Sequence, residues 1–234
     1  FAAACSASAI PEASGAAQAC TSIPNPSYAI EVSADGETVV GAAGGEAFSW
    51  RWRVDAAPTS LTGAGEAVAV SADGSVIAGN MKDPVSGMKV AARWTQATGW
   101  VPLGGLTGSC SGTITSCYDM SGDGSTIVGL GWTGCSGQGF LWTQANGMQE
   151  LEWLGNKGNR ASAVSADGTV AVGFAQGNFS RTPAHWTTGD QLGVTPDMDD
   201  VGEYYGISDD GSIRVGGRNG DAFFEVNGVA TNIG

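Results

Sequence analysis

Acidic side chains are the commonest ionisable groups in this sequence, and two sets of them could do chemistry. One set is a dense cluster whose oxygens could hold a calcium ion. Its members are Asp197, Asp199, Asp200 and Glu203. The cluster lacks the spacing of a known calcium loop, so we interpret it as a solvated acidic loop and keep calcium as the alternative. The other set recurs along the chain and always precedes glycine: Asp35, Asp73, Asp123, Asp167 and Asp210.

Other residue types give little support to catalysis or cofactor binding. The one histidine, His185, stands before Trp186 in a repeated slot, where we expect it to face outward from a strand in a structural role. A single histidine without cysteine or histidine neighbours does not build a zinc site. The sequence contains neither the nucleophile elbow Gly-x-Ser-x-Gly nor a phosphate loop leading into a helix. We therefore predict a non-enzymatic protein without a cofactor.

The recurring aspartates belong to an internal repeat, which predicts the elements around them. The repeat reads Val-Ser-Ala-Asp-Gly or a close variant, at 32–36, 70–74, 120–124, 164–168 and 207–211. A β-rich run ending in glycine follows each copy. Asp-Gly between two alternating apolar runs predicts a hairpin, because glycine accepts a positive φ and the neighbouring Ser and Asp can bond their own backbone. Residues around 28–33 and 37–42 are thus predicted to pair as the first two strands of a unit.

Two further strands are predicted in each unit. A third strand ends in tryptophan at 47–50, 91–94, 139–142 and 183–186, whereas Glu225 takes this slot in the fifth unit. A short fourth strand carries an aliphatic residue: Leu61, Leu103, Leu151, Leu192 or Val229. Such units could stack as a linear solenoid or circle as a propeller. Small residues on the first strand suit the crowded centre of a ring: Ala29, Ala67, Ala69, Ala161 and Ala163. Residues 27–234 are therefore predicted to form an all-β, single five-bladed β-propeller of four-stranded antiparallel blades.

The repeat pattern also resembles a known family. Val-Ser-x-Asp-Gly-x-x-Val-x-Gly, then Ala-Phe-x-Trp, then Gly-x-x-x-Leu-Gly resembles the HAF-type bacterial extracellular repeats, and residues 99–106 are similar to their fourth-strand signature. The resemblance covers residues 27–234. It implies a secreted or surface protein with a propeller-like fold, and it implies no chemistry. Glu225 departs from the pattern, and we interpret it as the mark of the seam where blade five meets blade one.

Residues 1–26 differ from the repeats in composition. They are rich in Ala and Ser and contain one charged residue, Glu12. Such a composition is typical of a disordered linker. The alternative, which we favour, is an extended arm that lies along its own propeller or docks on a neighbouring copy. Because the fifth unit already has four strands of its own, the arm stays free for the sheet edge of a partner.

Five cysteines predict disulfides that connect these parts. Cys5 and Cys20 lie in the arm, whereas Cys110, Cys117 and Cys135 are expected at one end of the propeller. We expect a bond that includes Cys110, because its loop is otherwise unrestrained. The remaining body cysteine would then face the arm. This predicts two disulfides per subunit, at least one of them joining arm to body across the subunit boundary, and one unpaired cysteine.

Charge and hydropathy limit the partners. The net charge of −13 disfavours nucleic acid and anionic lipid, and no run of 18 apolar residues predicts membrane insertion. Few lysines and scattered cysteines favour an extracellular or cell-surface location.

Three functions remain open at this stage. We favour a structural subunit of a self-assembling surface fibre or coat, a homopolymer linked through the arm. The second is an adhesin-like module that recognises a glycan or protein through one propeller face, with Trp132, Tyr204 and Tyr205 as binding residues. The third is an enzyme with carboxylates in the central channel.

Overall fold

The protein is all-β in the part of the chain that the structure covers. The structure, a computed structural model, describes residues 27–43, 48–53, 58–61, 63–155, 158–177, 180–188, 194–196 and 201–234. Strands in these ranges form five four-stranded sheets in which every neighbouring pair is antiparallel. Within the same ranges there is no α-helix, and hence no helix suited to crossing a membrane.

Each sheet contains four strands that are consecutive in the chain. The first sheet consists of β1 (Ser27–Val32), β2 (Thr38–Ala43), β3 (Phe48–Arg53) and β4 (Thr59–Leu61). The second consists of β5 (Ala64–Val70), β6 (Val76–Lys82), β7 (Lys89–Thr95) and β8 (Gly99–Pro102). The third consists of β9 (Thr115–Met120), β10 (Thr126–Thr133), β11 (Ser136–Thr143) and β12 (Gly147–Glu150). The fourth consists of β13 (Asn159–Val164), β14 (Val170–Gln176), β15 (Arg181–Thr187) and β16 (Val194–Pro196). The fifth consists of β17 (Gly202–Ile207), β18 (Ile213–Arg218), β19 (Asp221–Val226) and β20 (Val229–Asn232).

The Asp-Gly motif closes the first hairpin of every sheet, as predicted. In the second sheet the Ser71 hydroxyl donates to Asp73 Oδ1 at 2.7 Å, and Val76 N–H donates to Ser71 Oγ at 2.9 Å. Gly74 has a φ of 68°, whereas the φ of Asp73 is not positive. The loop is therefore not the two-residue turn in which both central residues have positive φ. The same serine and aspartate bonds occur in the other four turns, around Asp35, Asp123, Asp167 and Asp210. The motif is therefore a structural device in all five units.

The glycine that ends each β-rich run is required by the strand beside it. The register of β5 on β6 shifts between Ala67 and Ala69, which marks a β-bulge. At this bulge a Cβ on Gly79 would overlap the carbonyl oxygen of Glu66. The same overlap with a first-strand carbonyl occurs at Gly41, Gly129, Gly173 and Gly216. Glycine recurs here because the two backbones approach too closely for a side chain.

The register of the third strands corrects one alignment made from the sequence. Trp94 of β7 lies opposite Ile77 of β6, and the tryptophans of the third and fourth sheets occupy the same position. In the first sheet the equivalent residue is Trp52, which lies opposite Val39. Trp50 lies two residues away, opposite Gly41. Aligning Trp50 with the other tryptophans is therefore wrong. The strand contains two tryptophans, two residues apart, and the second of them occupies the shared position.

Successive sheets pack against each other in chain order, and each junction uses the same repeat positions. Val128 of β10 is completely buried in a cluster with Ala161 and Val164 of β13 and Trp186 of β15. The residues equivalent to Val128 are also fully buried by the sheet that follows: Val40, Ala78 and Val172. The core is thus a series of four similar junctions rather than one central cluster.

The first strands of successive sheets lie side by side, and their turns are joined by backbone hydrogen bonds. Ala72 N–H donates to the Gly122 carbonyl at 2.7 Å, and Gly122 N–H donates to the Ala166 carbonyl at 2.9 Å. Ala166 N–H then donates to the Asp209 carbonyl at 3.0 Å, and Asp35 N–H donates to the Ala72 carbonyl at 3.3 Å. Every donor belongs to the earlier sheet and every acceptor to the next. Among the described residues, no such bond joins the fifth sheet to the first.

Candidate functional site

A cavity of about 390 Å³, with charged and polar side chains in its lining, opens where β5 begins and β6 ends, on the side away from the Asp-Gly turns. Its charged lining residues are Glu66, Lys82 and Lys89. Asn80 and Tyr28 also contribute side chains to the lining. The rest of the lining is Gly65, Met81, Gly87, Ser111, Gly112 and Thr113. The side chains come from the first and second sheets and from the loop before β9, so no single stretch of sequence defines the cavity.

Glu66 is the centre of a hydrogen-bond network in this cavity. Asn80 Nδ2 donates to Glu66 Oε1 at 2.6 Å, and Lys89 Nζ lies 3.2 Å from the same oxygen. Asn80 is itself buried, and its Oδ1 accepts the Cys117 N–H at 2.9 Å. Lys89 therefore neutralises Glu66, and the position of Glu66 is fixed by the buried amide of Asn80.

A disulfide holds the opposite wall of the cavity. Cys110 and Cys135 are bonded, with their Cα atoms 5.1 Å apart, so the expected bond that includes Cys110 is confirmed. The next two residues, Ser111 and Gly112, both have positive φ and form a tight turn between Cys110 and Thr113. A hydrogen bond from Lys89 N–H to the Gly112 carbonyl, 2.9 Å long, connects this turn to β7. The wall is thus fixed covalently and by backbone bonding.

Two carboxylates on first strands bond across the junctions of the sheets. Glu31 of β1 accepts a hydrogen bond from Val70 N–H in β5. Burial raises the pKa of Glu31 to about 7, although the bond from Val70 opposes the rise and the charge of Asp119 adds to it. At the equivalent position of β9, Asp119 accepts from Val164 N–H in β13 at 2.8 Å. Burial likewise raises the pKa of Asp119 to about 6.

Cys117 lies beside these carboxylates and is the one free cysteine among the described residues. Only 4% of its surface is exposed, and it packs with Ala69 and Phe140 between the second and third sheets. Burial, and after it the charge of Asp119, raises the pKa of the Cys117 thiol well above its usual range. The remaining body cysteine is therefore buried between two sheets, and its predicted bond to the arm stays a prediction. Cys5 and Cys20 lie outside the described residues.

In the fifth sheet the position of the tryptophan holds Glu225, which forms a buried ion pair. Glu225, only 3% exposed, lies opposite Arg214 in the register of β18 and β19. Arg214 Nη1 is 3.2 Å from Glu225 Oε1, and the Tyr204 hydroxyl donates to Glu225 Oε2 at 2.7 Å. Arg214 Nη1 also lies 3.2 Å from His185 Nδ1 of the fourth sheet. The expectation that His185 faces outward is therefore wrong, because its ring contacts the next sheet.

The outer faces of the first and fifth sheets are uncovered. Val215 is 45% exposed, although its equivalents in the other four sheets are completely buried by the sheet that follows. On the first sheet Val32 is 54% exposed, whereas the equivalent Val70 is only 7% exposed. Ile213 of β18 is also exposed. We call these two faces, marked by Val32, Ile213 and Val215, the seam. Closure of the ring stays a prediction.

The other residues named from the sequence have varied positions. Of the calcium cluster, Asp197, Asp199 and Asp200 lie outside the described residues. Glu203 pairs with Arg160 at 2.8 Å, which leaves its carboxylate engaged with a cation. Among the described residues, no group of three metal-ligating side chains forms. Of the aromatic residues proposed for binding, Tyr204 is completely buried, Trp132 is half-buried, and Tyr205 is exposed.

Sequence reasoning missed Glu31 and Asp119 as well as the two cavity lysines. The repeat carried a signal for the carboxylates, because Ala69 and Ala163 occupy the same position in the second and fourth units. A charged residue at a position that is alanine or glycine in the other units indicates a special contact. The signal for the lysines was weaker, namely that the chain contains only three lysines and two of them are seven residues apart. In the structure these two, Lys82 and Lys89, both line the cavity.

Solved structures of other proteins share this architecture at low sequence identity. The structure of a putative TolB from Agrobacterium tumefaciens matches with a TM-score of 0.62 and 13% identity, covering 89% of this chain and 81% of that chain. TolB from Acinetobacter baumannii matches with a TM-score of 0.59 and 15% identity, covering 87% of this chain and 52% of that chain. The tricorn protease matches with a TM-score of 0.55 and 8% identity, covering 89% of this chain and 26% of that chain.

These comparisons bear on the fold alone. No family model and no curated protein matches the sequence, so the resemblance to HAF-type repeats stays an expectation. The disulfide is compatible with a location outside the cytoplasm. Together with the five antiparallel sheets, the structural neighbours show that the chain has a β-propeller fold.

Proposed function

We propose that this chain is a non-enzymatic, extracellular structural protein that assembles with copies of itself through the seam. The observation that carries this proposal is the unequal burial of one repeat position. In four sheets that position is sealed by the following sheet, whereas Val215 in the fifth is 45% exposed. A surface built like a protein interior yet left uncovered is typical of an interface.

The seam supports one occupant in particular, the arm of a neighbouring copy. Residues 1–26 are rich in alanine and contain one charged residue, which suits a surface marked by valine and isoleucine. They are followed directly by Ser27, the first residue of β1, and β1 carries one wall of the seam. Fully extended, 26 residues reach roughly 85 Å, enough to cross to another copy. A contact between two different surfaces on each copy generates chains or fibres when it does not close.

The same faces allow two other outcomes. If the first and fifth sheets close on each other within one chain, the result is the single five-bladed ring. If the arm fills the seam of its own chain, the result is a monomer with a plugged seam. Both outcomes leave the protein monomeric, so its state of association decides between them and the proposal.

The experiment compares the full chain with two variants by light scattering and electron microscopy. The full chain is expected to form filaments or long oligomers, and a variant lacking residues 1–26 is expected to be a folded monomer by circular dichroism. Val215→Asp should weaken association at least tenfold, because a charge would enter an apolar contact. The matched control is Val85→Asp, since Val85 is 93% exposed in the loop between β6 and β7.

Adding a peptide of residues 1–26 to the truncated chain separates the two roles of the arm. In the proposed assembly the peptide binds the truncated chain, and Val215→Asp abolishes this binding. A full chain that stays monomeric at every concentration overturns the proposal. Polymerisation of the truncated chain as before would show that the arm is not the connector.

A second function, a binding module for a glycan or protein, is favoured by one specific observation. The cavity beside the disulfide presents charged and polar side chains, is fixed by Asn80 and the Cys110–Cys135 bond, and lies at one end of the propeller. This function is compatible with assembly, because the cavity is lined mainly by the second sheet and its neighbouring loop.

A further inference from the structure

The cavity concentrates positive charge in a strongly acidic protein. The chain carries 23 acidic and 10 basic residues and only three lysines, yet Lys82 and Lys89 both line this one cavity. Lys89 is neutralised by Glu66. Lys82 forms no ion pair with any described carboxylate. The described residues of the lining therefore carry a net positive charge, and the unmatched cation among them is Lys82.

The remaining groups of the cavity suit a hydroxylated ligand. Glu66 uses one carboxylate oxygen for Asn80 and Lys89, and no described residue bonds to the other. The backbone of the turn around Ser111 and Gly112 adds further polar atoms. Tyr28, 53% exposed, supplies an aromatic face at the edge of the cavity. Hydroxyl acceptors beside an aromatic ring are the groups that hold a sugar.

The walls are rigid enough for such a ligand to be recognised without large rearrangement. The disulfide holds Cys110, which immediately precedes the turn, and the turn is bonded to Lys89 by main-chain groups. On the other side, the buried amide of Asn80 fixes Glu66. Fixed polar groups lose less entropy on binding than mobile ones. The volume of about 390 Å³ lies within the usual range for small-ligand sites.

From these observations we propose that the cavity binds a carboxylated sugar, with Lys82 pairing with the carboxylate, Glu66 accepting a sugar hydroxyl and Tyr28 stacking on the ring. The ligand is a uronic acid, either as a residue of an acidic polysaccharide or as a free acid. The inference deepens the second function, binding of a glycan, and does not depend on assembly.

The test measures binding of three probes to the full chain by isothermal titration calorimetry at low ionic strength. The probes are trigalacturonate, galacturonic acid and the neutral trisaccharide maltotriose. Trigalacturonate is expected to bind at least tenfold more tightly than maltotriose. Tighter binding of the trisaccharide than of the free acid indicates a polysaccharide, and equal binding indicates the monomer as the source. Succinate, a carboxylate without hydroxyls, is expected to bind at least tenfold more weakly than the sugar acid.

Variants at Lys82 connect the binding to the cavity. Lys82→Gln should weaken trigalacturonate binding about tenfold, and Lys82→Arg should retain most of it, because the charge is kept. The control is Arg181→Gln, which removes the same charge from an exposed position on the fourth sheet. The proposal is overturned if trigalacturonate fails to bind, if Lys82→Gln binds it unchanged, or if maltotriose or succinate binds equally well. If the full chain binds trigalacturonate but does not assemble, only the first proposed function is contradicted, because Lys82 lies outside the seam.

Discussion

Arg214 and Glu225 face each other across β18 and β19 at the two positions that Ile77 and Trp94 occupy in the second sheet. Their charged atoms are 3.2 Å apart, and the Tyr204 hydroxyl binds the second carboxylate oxygen. The fifth unit has thus exchanged an apolar pair for an ion pair while keeping the register. Both positions of the pair differ from those in the second sheet, and the opposite charges of Arg214 and Glu225 neutralise each other.

Breaking this pair on one side should strongly destabilise the fifth sheet. Glu225→Ala leaves Arg214 and the Tyr204 hydroxyl without their shared carboxylate, and a buried charge without its partner costs about 3 kcal/mol. Urea unfolding measures the change in free energy. The control is Asp221→Ala on the same strand, where the side chain is exposed and a change within about 0.5 kcal/mol is expected. Equal effects of the two substitutions would contradict a structural role for the pair.

The two carboxylates at the sheet junctions should make the protein more stable in mild acid. The folded-state pKa values, about 7 for Glu31 and about 6 for Asp119, lie above the unfolded values of 4.5 and 3.8. The folded chain therefore binds more protons between these limits, and the free energy of unfolding falls as pH rises from about 4 to 7. For Glu31 the loss over the whole range is about 3 kcal/mol. Urea unfolding at pH 5 and pH 8 measures the difference.

Glu31→Gln isolates the share of Glu31 in this pH dependence. Glutamine keeps an oxygen for the Val70 N–H but does not ionise, so the variant should be more stable than the natural chain at pH 8 and less sensitive to pH. Glu150→Gln, at an exposed end of β12, is the control and should leave the pH dependence unchanged. A Glu31→Gln chain with the original pH dependence would show that another group is responsible.

The aspartates of the turns should titrate in the opposite direction. Hydrogen bonds from the Ser208 hydroxyl, and then from Ser212, hold the pKa of Asp210 at about 2. Ser208→Ala should therefore raise the pKa of Asp210 towards 3.8, as measured by NMR titration of the carboxyl carbon. The stabilisation from this turn is complete above that pH and is lost as pH falls towards 2. Ser86→Ala, which removes a hydroxyl donated to Asp83, should not change the pKa of Asp210.

The cysteines should differ sharply in reactivity. Peptide mapping should find one bond between Cys110 and Cys135, and Cys117 should resist alkylation until the chain unfolds, because it is buried. Cys110→Ser should cost about 3 kcal/mol, since the bond closes a loop of 25 residues. If copies are linked covalently, the link must use Cys5 or Cys20. Non-reducing electrophoresis would then show a ladder that collapses with reductant, and rapid alkylation of native Cys117 would contradict its burial.

Local chemistry explains which parts of the structure were predictable. The hairpin at Asp73 followed from five adjacent residues, because serine, aspartate and glycine fix that loop through bonds to their own backbone. The disulfide was predictable in part. Its member Cys110 was expected from the sequence because it lies in a loop without other restraints, whereas its partner Cys135 was not singled out.

Contacts between sheets were not predictable from one repeat alone. Glu31 bonds to Val70, 39 residues away, and nothing in its own unit indicates that acceptor. The register of Trp52 depended on which residue lies opposite Gly41, and a strand with two alternating tryptophans offers two solutions. The cavity combines Tyr28, Asn80 and Ser111 from three separate segments, which only the packing of two sheets and a loop brings together.

The hydrogen bonds between the turns have a consequence for how such a chain can change its length. Each bond runs from the N–H of one turn to the carbonyl of the next, as between Ala72 and Gly122 or between Gly122 and Ala166. Every interior unit therefore presents one donor and one acceptor of the same kind. Recombination that duplicates or removes a whole unit of roughly 44 residues would add or delete one junction and leave the chemistry of its neighbours unchanged. Copy number is then a heritable variable that selection can adjust without redesigning any interface.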